Sequence, residues 1–305
     1  MFSQRIDGDF DVLVYDTTSG DETPKILERL QGVYGDRLRW KPIAKADFSH
    51  GRTRGEAALE ARGEFVAFLT QDATPAHDRW LYELLKPFSL NDKVVAVLGK
   101  QVPRPNAVPM LKADIEGVFG GFGNDQGTAL FYKDDFVVSQ GQYDVISFYS
   151  DVNSAARRDF LVNEINYRDI PYAEDQLFGR DLIDAGYLKA YAPRAVVLHS
   201  NDIPLGDYKH RMFDETLGLR QVGVPVGKPS LRDVASMVTR GSLRDVRRIL
   251  RDPNYSVKRK LYWLAFNPIY HIERWRGVRL AVDAPLDDES VRDRYSLERR
   301  EARGE

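Results

Sequence analysis

The sequence predicts an α/β fold in which a mostly parallel, doubly wound sheet carries helices on both faces. Three apolar runs rich in β-branched residues have the composition of buried strands: 10–16, 64–70 and 93–102. Two segments with helical spacing, 25–35 and 78–88, follow the first two of these runs. Strands that alternate with helices at this spacing are typical of a doubly wound sheet.

The other elements of the first hundred residues continue this alternation. FDVLVYD (10–16) is closed by the loop TTSGDETP, where Thr23 suits a helix N-cap and Pro24 the first helical position. LRWKPI (38–43) predicts a short strand, and GRTRGEAALEAR (51–62) predicts a further helix. The predicted strands at 10–16, 38–43 and 64–70 are therefore each followed by a helix.

The pattern changes after residue 102. Residues 103–145 are rich in Pro and Gly, which is typical of a mobile loop over a binding site. Order resumes at 145–164 with a strand and a helix, and AEDQLFGRDLIDAG (173–186) predicts a helix with acids in its first turn and Gly at its end. YLKAYAPRAVVLHS (187–200) supplies the closing strands. Beyond Pro229 the sequence predicts helices.

The composition is that of an ordinary globular protein: 305 residues, 43% hydrophobic and 30% charged. The chain contains no cysteine, which excludes disulfide frameworks and thiolate metal sites. We identify neither a signal peptide nor an apolar run long enough to cross a bilayer. We therefore expect a cytoplasmic protein, either free in solution or peripheral on the inner face of the cell membrane.

Charge is distributed unevenly along the chain. Residues 1–205 carry a net charge of −8 and residues 206–305 one of +6, and the excess is sharpest at 228–279, with 13 basic and 4 acidic side chains. There, basic residues alternate with Tyr, Trp, Phe and Ile, as in helices that lie on an anionic membrane surface. A helical lid packed on the α/β domain would have a similar composition, and both interpretations stay open. Nucleic acid is not expected as a partner because no recognised binding motif is present.

Three carboxylates follow predicted strands: Asp16, Asp72 and Asp151. Each one alone is more often a turn or cap residue. Because ligands of open α/β sheets bind at the carboxyl ends of strands, the three are expected to converge on one crevice. A carboxylate there is a hard oxygen ligand suited to Mg²⁺ or Mn²⁺, which in turn binds diphosphate oxygens. The sequence contains no Gly-rich Walker or dinucleotide fingerprint, which disfavours kinases, ATPases and dehydrogenases.

Several motifs occur in a fixed order along about residues 9–215. They are DTTSGDETP, SHGRTRGEAALEARGEFVAFLTQDATP, GKQVPRPNA, SDVNSAARR, YAEDQLFGRDLIDAGY and VVLHS. Together they resemble the landmarks of glycosyltransferase family 2, most of all its rhamnosyltransferase-type bacterial members, with TQDA (70–73) in place of the usual Asp-x-Asp. The resemblance implies a GT-A fold, a nucleotide sugar donor, a divalent cation (Mg²⁺ or Mn²⁺) and inversion at the anomeric carbon.

The resemblance implies roles for several residues at the donor site. Asp16 matches a contact to the nucleobase or ribose, and Arg54 matches an arginine that lies along the nucleotide and diphosphate. Asp72 matches the metal ligand, and His199 matches a histidine near the metal and diphosphate. Arg180 either approaches the diphosphate or forms a salt bridge with a neighbouring acid.

The resemblance also implies residues for the transfer step. Asp175 matches the general base and Glu174 the acid beside it, although acids in a first helical turn also stabilise a helix through its dipole. Asp151 and Asn153 match the lining of the acceptor or sugar pocket. The family more often has Asn at the position of Asp151.

We therefore predict an inverting glycosyltransferase that moves L-rhamnose or another deoxyhexose from a nucleotide diphosphate sugar to a glycan or lipid-linked glycan. Its expected setting is polysaccharide biosynthesis for the bacterial cell envelope. Two alternatives stay open. One is a hexosyl or N-acetylhexosaminyl transferase that uses a UDP or GDP sugar, and the other is a non-catalytic remnant that binds sugar nucleotides.

The expected domains are a GT-A domain at 1–215, a basic helical extension at 216–282 and a charged, disordered tail at 283–305. Members of the family begin with a strand and a helix that precede the strand matched here by 10–16. We therefore expect the natural start to lie upstream and the GT-A domain to lack its first strand and helix. Such a truncated domain is expected to bind its donor poorly and to aggregate through open strand edges.

Overall fold

The computed structural model describes residues 1–136, 139–170, 172–201 and 203–303. The chain forms two units: Met1–Gln101 with Gly120–Leu198, and Val102–Phe119 with His199–Glu305. This division differs from the boundary predicted at residue 215. The segment after residue 101 joins the helical unit because Val108 and Met110 pack into the apolar core of that unit.

The elements of the chain have the following bounds. The strands are β1 (Val12–Asp16), β2 (Leu38–Pro42), β3 (Phe65–Leu69), β4 (Thr74–Pro75), β5 (Val94–Val102), β6 (Ala129–Phe131), β7 (Asn153–Arg157) and β8 (Leu188–Leu198). The helices are α1 (Thr23–Tyr34), α2 (His50–Glu60), α3 (Trp80–Leu85), α4 (Pro109–Gly120), α5 (Gln140–Ser147), α6 (Arg158–Asn163), α7 (Glu174–Asp184), α8 (Leu205–Gln221), α9 (Leu231–Arg251), α10 (Val257–Asp283), α11 (Glu289–Tyr295) and α12 (Leu297–Arg303). The predicted alternation of strand and helix is confirmed, and the stretch 103–145 that was expected to be a loop contains α4, β6 and α5.

The strands of the first unit form two sheets. β1 and β2 form a parallel pair, and a larger sheet has the order β3-β7-β5-β8-β4 with β6 also paired to β8. In that sheet β3–β7, β5–β7, β4–β8 and β6–β8 are antiparallel, which differs from the mostly parallel sheet we predicted. An apolar run shows that a strand is buried but not which way its neighbour runs, so the sequence pattern does not determine strand direction.

The core of the first unit lies where α3 packs on the larger sheet. Trp80 and Leu84 of α3 are fully buried against Val97 of β5 and Val197 of β8. The facing positions of β7 and β8 include alanines such as Ala155, whose small side chains leave room for the Trp80 indole. This packing holds β3 and β7 in place. Asp72 follows the end of β3, and Asp151 precedes the start of β7.

Helices α8, α9 and α10 are the longest elements of the second unit, which also contains nearly all of α4 together with α11 and α12. Their apolar core contains Tyr208, Met212, Trp263 and Tyr270. A Cβ at Gly277 would lie 2.3 Å from a backbone carbonyl oxygen of α8, so this glycine permits the close approach of α8 and α10. The helices predicted beyond Pro229 are confirmed. Among the helices of the described part of the chain, none combines the length and apolar composition needed to cross a bilayer.

A buried polar group, here called the helix cluster, joins α9 to α10. It consists of Asp245, Asn267 and His271, all less than one-tenth exposed. The Asp245 carboxylate accepts a hydrogen bond from the Asn267 amide at 3.0 Å and lies 2.8 Å from Nε2 of His271. Such a buried polar contact favours one register between two helices over others.

The charged tail forms α11 and α12 instead of the disordered segment we expected. The Tyr295 ring packs 5.7 Å from the Phe213 ring, measured between centroids. The Asp214 carboxylate accepts a hydrogen bond from the backbone N–H of Leu297 at 2.8 Å, which satisfies a free donor at the start of α12. These two contacts with α8 provide the tertiary support that short charged helices lack on their own.

Candidate active site

Arg54 is the centre of a buried group of charges in the first unit. It projects from α2, which lies directly against the segment before α7: a Cβ at Gly51 would lie 2.1 Å from the carbonyl oxygen of Arg168. Nε of Arg54 lies 3.2 Å from Oδ2 of Asp151, and its Nη1 donates to Oε1 of Glu174. Together with Asp175, these residues form what we call the acid cluster: Arg54, Asp151, Glu174 and Asp175.

Asp151 lies just before β7 and is almost completely buried. Its Oδ1 accepts hydrogen bonds from the Ser154 hydroxyl at 2.6 Å and from the Tyr167 hydroxyl at 2.9 Å. Its backbone N–H donates to Oδ2 of Asp175 at 3.2 Å. Asp151 therefore links the guanidinium of Arg54 to the carboxylate of Asp175, while two hydroxyl groups hold its own side chain.

Glu174 and Asp175 begin helix α7, as the sequence predicted. The residue before them, Ala173, has a φ of +63°, a left-handed conformation that costs energy in any residue with a Cβ. Oδ1 of Asp175 accepts a hydrogen bond from the N–H of Gln176 at 2.7 Å. The start of this helix is therefore held by strained backbone as well as by ion pairing, and such strain is concentrated at functional sites.

The acid cluster contains three carboxyl groups and one guanidinium. Burial raises the pKa of Asp175 to about 8, and the nearby carboxylates of Glu174 and Asp151 add to the rise. Burial also raises the pKa values of Glu174 and Asp151, although the charge of Arg54 opposes both shifts. Burial lowers the pKa of Arg54, but the carboxylates around it raise that pKa further, so the guanidinium stays charged. At neutral pH the cluster therefore retains a proton that surface carboxyl groups would have lost.

Asp16 ends β1 at the predicted position and is buried. Its carboxylate accepts hydrogen bonds from the backbone N–H of Ser19 at 3.0 Å and from the Ser19 hydroxyl at 2.5 Å. Thr18, between them, has a φ of +58°, and its hydroxyl donates to the carbonyl oxygen of Ile43 at 2.8 Å. The carboxylate thus shapes a tight, strained loop at the end of the strand.

Asp72 follows β3 and is partly exposed. Its Oδ1 accepts a hydrogen bond from the hydroxyl of Thr70 at 2.7 Å. Within residues 1–136, 139–170, 172–201 and 203–303, no group of three or more His, Cys, Asp or Glu side chains is arranged to hold a metal ion. Mg²⁺ in phosphate-transfer sites keeps several waters and uses only one or two protein carboxylates plus phosphate oxygens. A partly exposed Asp72 fits a cation that binds together with a diphosphate.

Three further predicted residues make contacts outside the acid cluster: Arg180, Asn153 and His199. Arg180 forms an ion pair with Asp144 at 2.9 Å, which is the salt bridge that the sequence left open. Asn153 is fully buried: Trp80 donates to its Oδ1, and its Nδ2 donates to the carbonyl oxygens of Lys100 and Ala195. These contacts use both ends of the amide within the core. His199 belongs to the second unit, where its backbone N–H donates to the carbonyl oxygen of Val102.

Sequence reasoning missed two residues that hold the acid cluster. Ser154 lies three residues after Asp151 inside the motif SDVNSAARR, a spacing that allows a side chain to reach back across a turn. Tyr167 lies in an irregular segment with no periodic pattern, so the sequence contains no signal for its contact with Asp151. For both residues, the sequence does not show that the hydroxyl group donates to the carboxylate of Asp151.

Comparison with known proteins shows the relatives of this chain. The family model Glycosyl transferase family 2 matches residues 2–162. The O-antigen chain rhamnosyltransferase WbaN of Salmonella anatum is 31% identical over 216 residues, which cover 70% of this chain and 64% of that protein. The O-antigen chain rhamnosyltransferase RfbN of Salmonella typhimurium is 28% identical over 205 residues, covering 67% of this chain and 61% of that protein. The chain thus spans less than two thirds of the length of either relative.

A solved structure with a similar fold is the mannosyltransferase PcManGT of Pyrobaculum calidifontis in complex with GDP-Man and Mn²⁺. The TM-score is 0.53 at 16% sequence identity, and the similarity covers 92% of this chain and 79% of that chain. At this identity the likeness concerns the fold alone, and it agrees with the GT-A class that the motifs implied. Because the family model matches more than half of the residues, the chain belongs to glycosyltransferase family 2.

Proposed function

We propose that this protein is an inverting glycosyltransferase in which Asp175 is the general base. The observation that carries the proposal is the acid cluster: a half-buried carboxyl group with a pKa raised to about 8, at the start of a helix and beside a guanidinium held by ion pairs. A base with a pKa near the working pH accepts a proton readily and is still ionised in a useful fraction of molecules. Buried groups with such shifts are concentrated at functional sites.

In the proposed step, the acceptor hydroxyl oxygen attacks the anomeric carbon of the donor sugar. Asp175 takes the hydroxyl proton, a bond forms between the acceptor oxygen and the anomeric carbon, and the bond from that carbon to the diphosphate oxygen breaks. The electron pair of the broken bond leaves with the nucleoside diphosphate, and the configuration at the carbon is inverted. The N–H of Asp151 orients one oxygen of Asp175, and Arg54 balances the charge of Glu174 beside it.

Asp72 is the residue that we propose as the protein ligand of a divalent cation. A bound Mg²⁺ or Mn²⁺ would neutralise negative charge on the leaving diphosphate. The Thr70 hydroxyl donates to one oxygen of Asp72 and so limits the orientations of its carboxylate. Asp16, with its loop at the end of β1, is proposed to contact the nucleoside, and His199 is proposed to approach the diphosphate.

The donor that we propose is a nucleotide-activated deoxyhexose such as dTDP-L-rhamnose, and the acceptor is a glycan or a lipid-linked glycan. The support is the similarity to two proteins whose names describe O-antigen chain rhamnosyltransferases. Because the names of both relatives refer to the O-antigen chain, we also propose that this protein acts in polysaccharide biosynthesis. A hexosyl or N-acetylhexosaminyl transferase using GDP or UDP sugars is the second candidate, and the fold neighbour named as a GDP-Man complex is compatible with it.

The test is a comparison of dTDP-L-rhamnose, GDP-mannose and UDP-N-acetylglucosamine as donors, each with and without Mn²⁺. Binding is measured by calorimetry, and turnover is measured as release of the nucleoside diphosphate in the presence of a lipid-linked oligosaccharide acceptor. We expect dTDP-L-rhamnose to bind and turn over, and Asp72→Asn to weaken its Mn²⁺-dependent binding while the melting temperature is kept.

Each alternative result has a distinct meaning. Turnover with GDP-mannose alone would replace rhamnose by a hexose and keep the mechanism. Donor binding without turnover on any acceptor would indicate a non-catalytic binding protein. Equal donor affinity of Asp72→Asn and the unchanged chain, with and without Mn²⁺, would remove Asp72 from the metal site.

A further inference from the structure

Helix α10 exposes a continuous row of large apolar side chains. Leu261 is 64% exposed, Tyr262 46%, Ile272 42%, and Phe266 and Ile269 38% each. These spacings place the five side chains on one side of the helix, and we call them the α10 apolar face. The opposite side of α10 is buried in the core of the helical unit through residues such as Trp263 and Tyr270. Single exposed apolar residues are ordinary, but a row of five within twelve positions is not.

Basic side chains lie at both ends of this face. Lys258 precedes Leu261 by one helical turn and is exposed, and Arg276 follows Ile272 by one turn with 60% of its side chain exposed. Arg276 pairs with the largely buried Glu273 at 2.6 Å, but 60% of the Arg276 side chain stays exposed, so its guanidinium is still accessible to a further anionic group. Residues 228–279 as a whole carry 13 basic and 4 acidic side chains. The segment of the chain that contains the apolar face is therefore strongly basic.

The charge distribution discriminates between two kinds of partner. A second copy of this chain, packed symmetrically on the same face, would bring the Lys258 and Arg276 of each copy close to those of the other. An anionic bilayer surface offers the opposite charge to the basic ends and an apolar layer to the side chains between them. Lys and Arg also extend towards phosphate groups while their stems lie along apolar surface. The chemistry of the face thus matches anionic lipid.

We propose that the α10 apolar face binds the surface of an anionic phospholipid bilayer. Helix α10 would lie in the plane of the headgroups, with Leu261, Phe266 and Ile269 inserted at the boundary of the acyl chains. Lys258 and Arg276 would contact lipid phosphates at the two ends of the inserted row. This binding requires neither a nucleotide sugar nor the acid cluster, so it is independent of the proposed glycosyl transfer.

The test is flotation of the full chain with vesicles of phosphatidylcholine alone or phosphatidylcholine mixed with phosphatidylglycerol. We expect the protein to float with the mixed vesicles, to do so much less with neutral vesicles, and to detach as salt is raised. Phe266→Ser with Ile269→Ser is expected to lower binding by at least about tenfold, since each inserted side chain contributes through its buried apolar area. The matched control, Val33→Ser with Leu59→Ser, changes two exposed apolar residues of the first unit, and its binding should equal that of the unchanged chain.

A second variant keeps the proposal testable if the serine variant does not fold, as judged by its circular dichroism melting curve. Lys258→Glu with Arg276→Glu leaves the apolar row intact and is expected to abolish the preference for anionic vesicles, since each basic residue near such a surface contributes about a fivefold change in binding. The proposal is overturned if the unchanged chain does not float, or if it binds neutral and anionic vesicles equally. It is also overturned if light scattering shows a dimer that the serine variant converts to a monomer, because the face would then be a contact between copies.

Discussion

The two buried clusters of ionisable side chains, one in each unit, differ in how their charges are balanced. In the acid cluster three carboxyl groups surround Arg54, and the pKa of Asp175 is raised to about 8. In the helix cluster a single carboxylate, Asp245, meets His271 and Asn267; burial raises its pKa, but these two hydrogen bonds lower it more. The contacts of the helix cluster therefore favour an ionised carboxylate, whereas burial and repulsion in the acid cluster favour a carboxyl group that keeps its proton. The difference distinguishes a cluster that joins two helices from the cluster that we propose to carry the chemistry.

The largest effect that this comparison predicts is a lower rate of glycosyl transfer in the variant Asp175→Asn. We expect donor binding measured by calorimetry to stay nearly unchanged and transfer to fall roughly 10²–10⁴-fold, the usual contribution of a positioned general base. The matched control is Asp159→Asn, because Asp159 also lies in the first turn of a helix but its side chain is 90% exposed. If Glu174→Gln abolished transfer and Asp175→Asn did not, Glu174 would be the base.

Substitutions in the helix cluster should change the free energy of unfolding and leave glycosyl transfer unchanged. Asp245→Ala leaves His271 and the Asn267 amide without their buried partner, so we expect the free energy of unfolding to fall by about 3–5 kcal/mol. Asp245→Asn keeps an oxygen that accepts from Asn267 and should lose less than half as much. Urea unfolding followed by tryptophan fluorescence measures both variants. A urea unfolding curve of Asp245→Ala that matches that of the unchanged chain would mean that this cluster contributes nothing to stability.

The acid cluster predicts a pH dependence of stability with a definite sign. The usual pKa of an aspartate is 3.8, and that of Asp175 in the folded protein is about 8. Between these values the folded chain holds a proton that the unfolded chain has lost, so the contribution of Asp175 to stability is present at low pH and falls as the pH rises to about 8. Asp175→Asn removes this loss and should therefore be more stable than the unchanged chain above pH 8, by roughly 1–3 kcal/mol because the shift is shared with two other carboxyl groups.

Thermal unfolding at a series of pH values checks this expectation. The melting temperatures of Asp175→Asn and the unchanged chain should converge towards pH 4 and separate above neutrality. Asp245→Asn should show no such separation in the same range, since the pKa of Asp245 is lowered, not raised. Parallel curves for Asp175→Asn and the unchanged chain would show that Asp175 is ionised in the folded protein at neutral pH.

Some of the acid cluster could be predicted from the sequence. The acids at 174 and 175 stand at a recognisable helix start, so the local pattern indicated that they could carry chemistry, whereas Asp151, which we expected to follow a strand, precedes β7. The contact between Arg54 and Asp151 could not be predicted, because it joins positions almost a hundred residues apart. It depends on how closely α2 approaches the segment at Arg168, and that approach is set by Gly51. A glycine in a helix does not identify the surface it will meet.

Other features were hidden from the sequence for different physical reasons. The directions of the strands in the larger sheet do not follow from the burial pattern that identifies a strand. The tail at 283–305 is charged enough to suggest disorder, but its helices depend on contacts of Tyr295 and Leu297 with α8. Asn153 lies in a motif that suggests a binding residue, yet its amide is used inside the core. In each case a tertiary contact decides the outcome, and local composition does not report it.

The smallest predicted effect concerns the backbone that holds the acid cluster and has no counterpart in the regular helices around Asp245. Ala173 has a φ of +63°, and a left-handed conformation costs a residue with a Cβ about 1–2 kcal/mol. Ala173→Gly relieves that strain, and the gain offsets the loss of a buried methyl group and the greater freedom of glycine in the unfolded chain. We therefore expect no loss of stability, whereas Ala235→Gly, at an exposed position inside the regular helix α9, should lose about 0.5–1 kcal/mol. Equal losses in the two variants would show that residue 173 carries no strain, and the start of α7 would then be positioned by the ion pair between Arg54 and Glu174 alone.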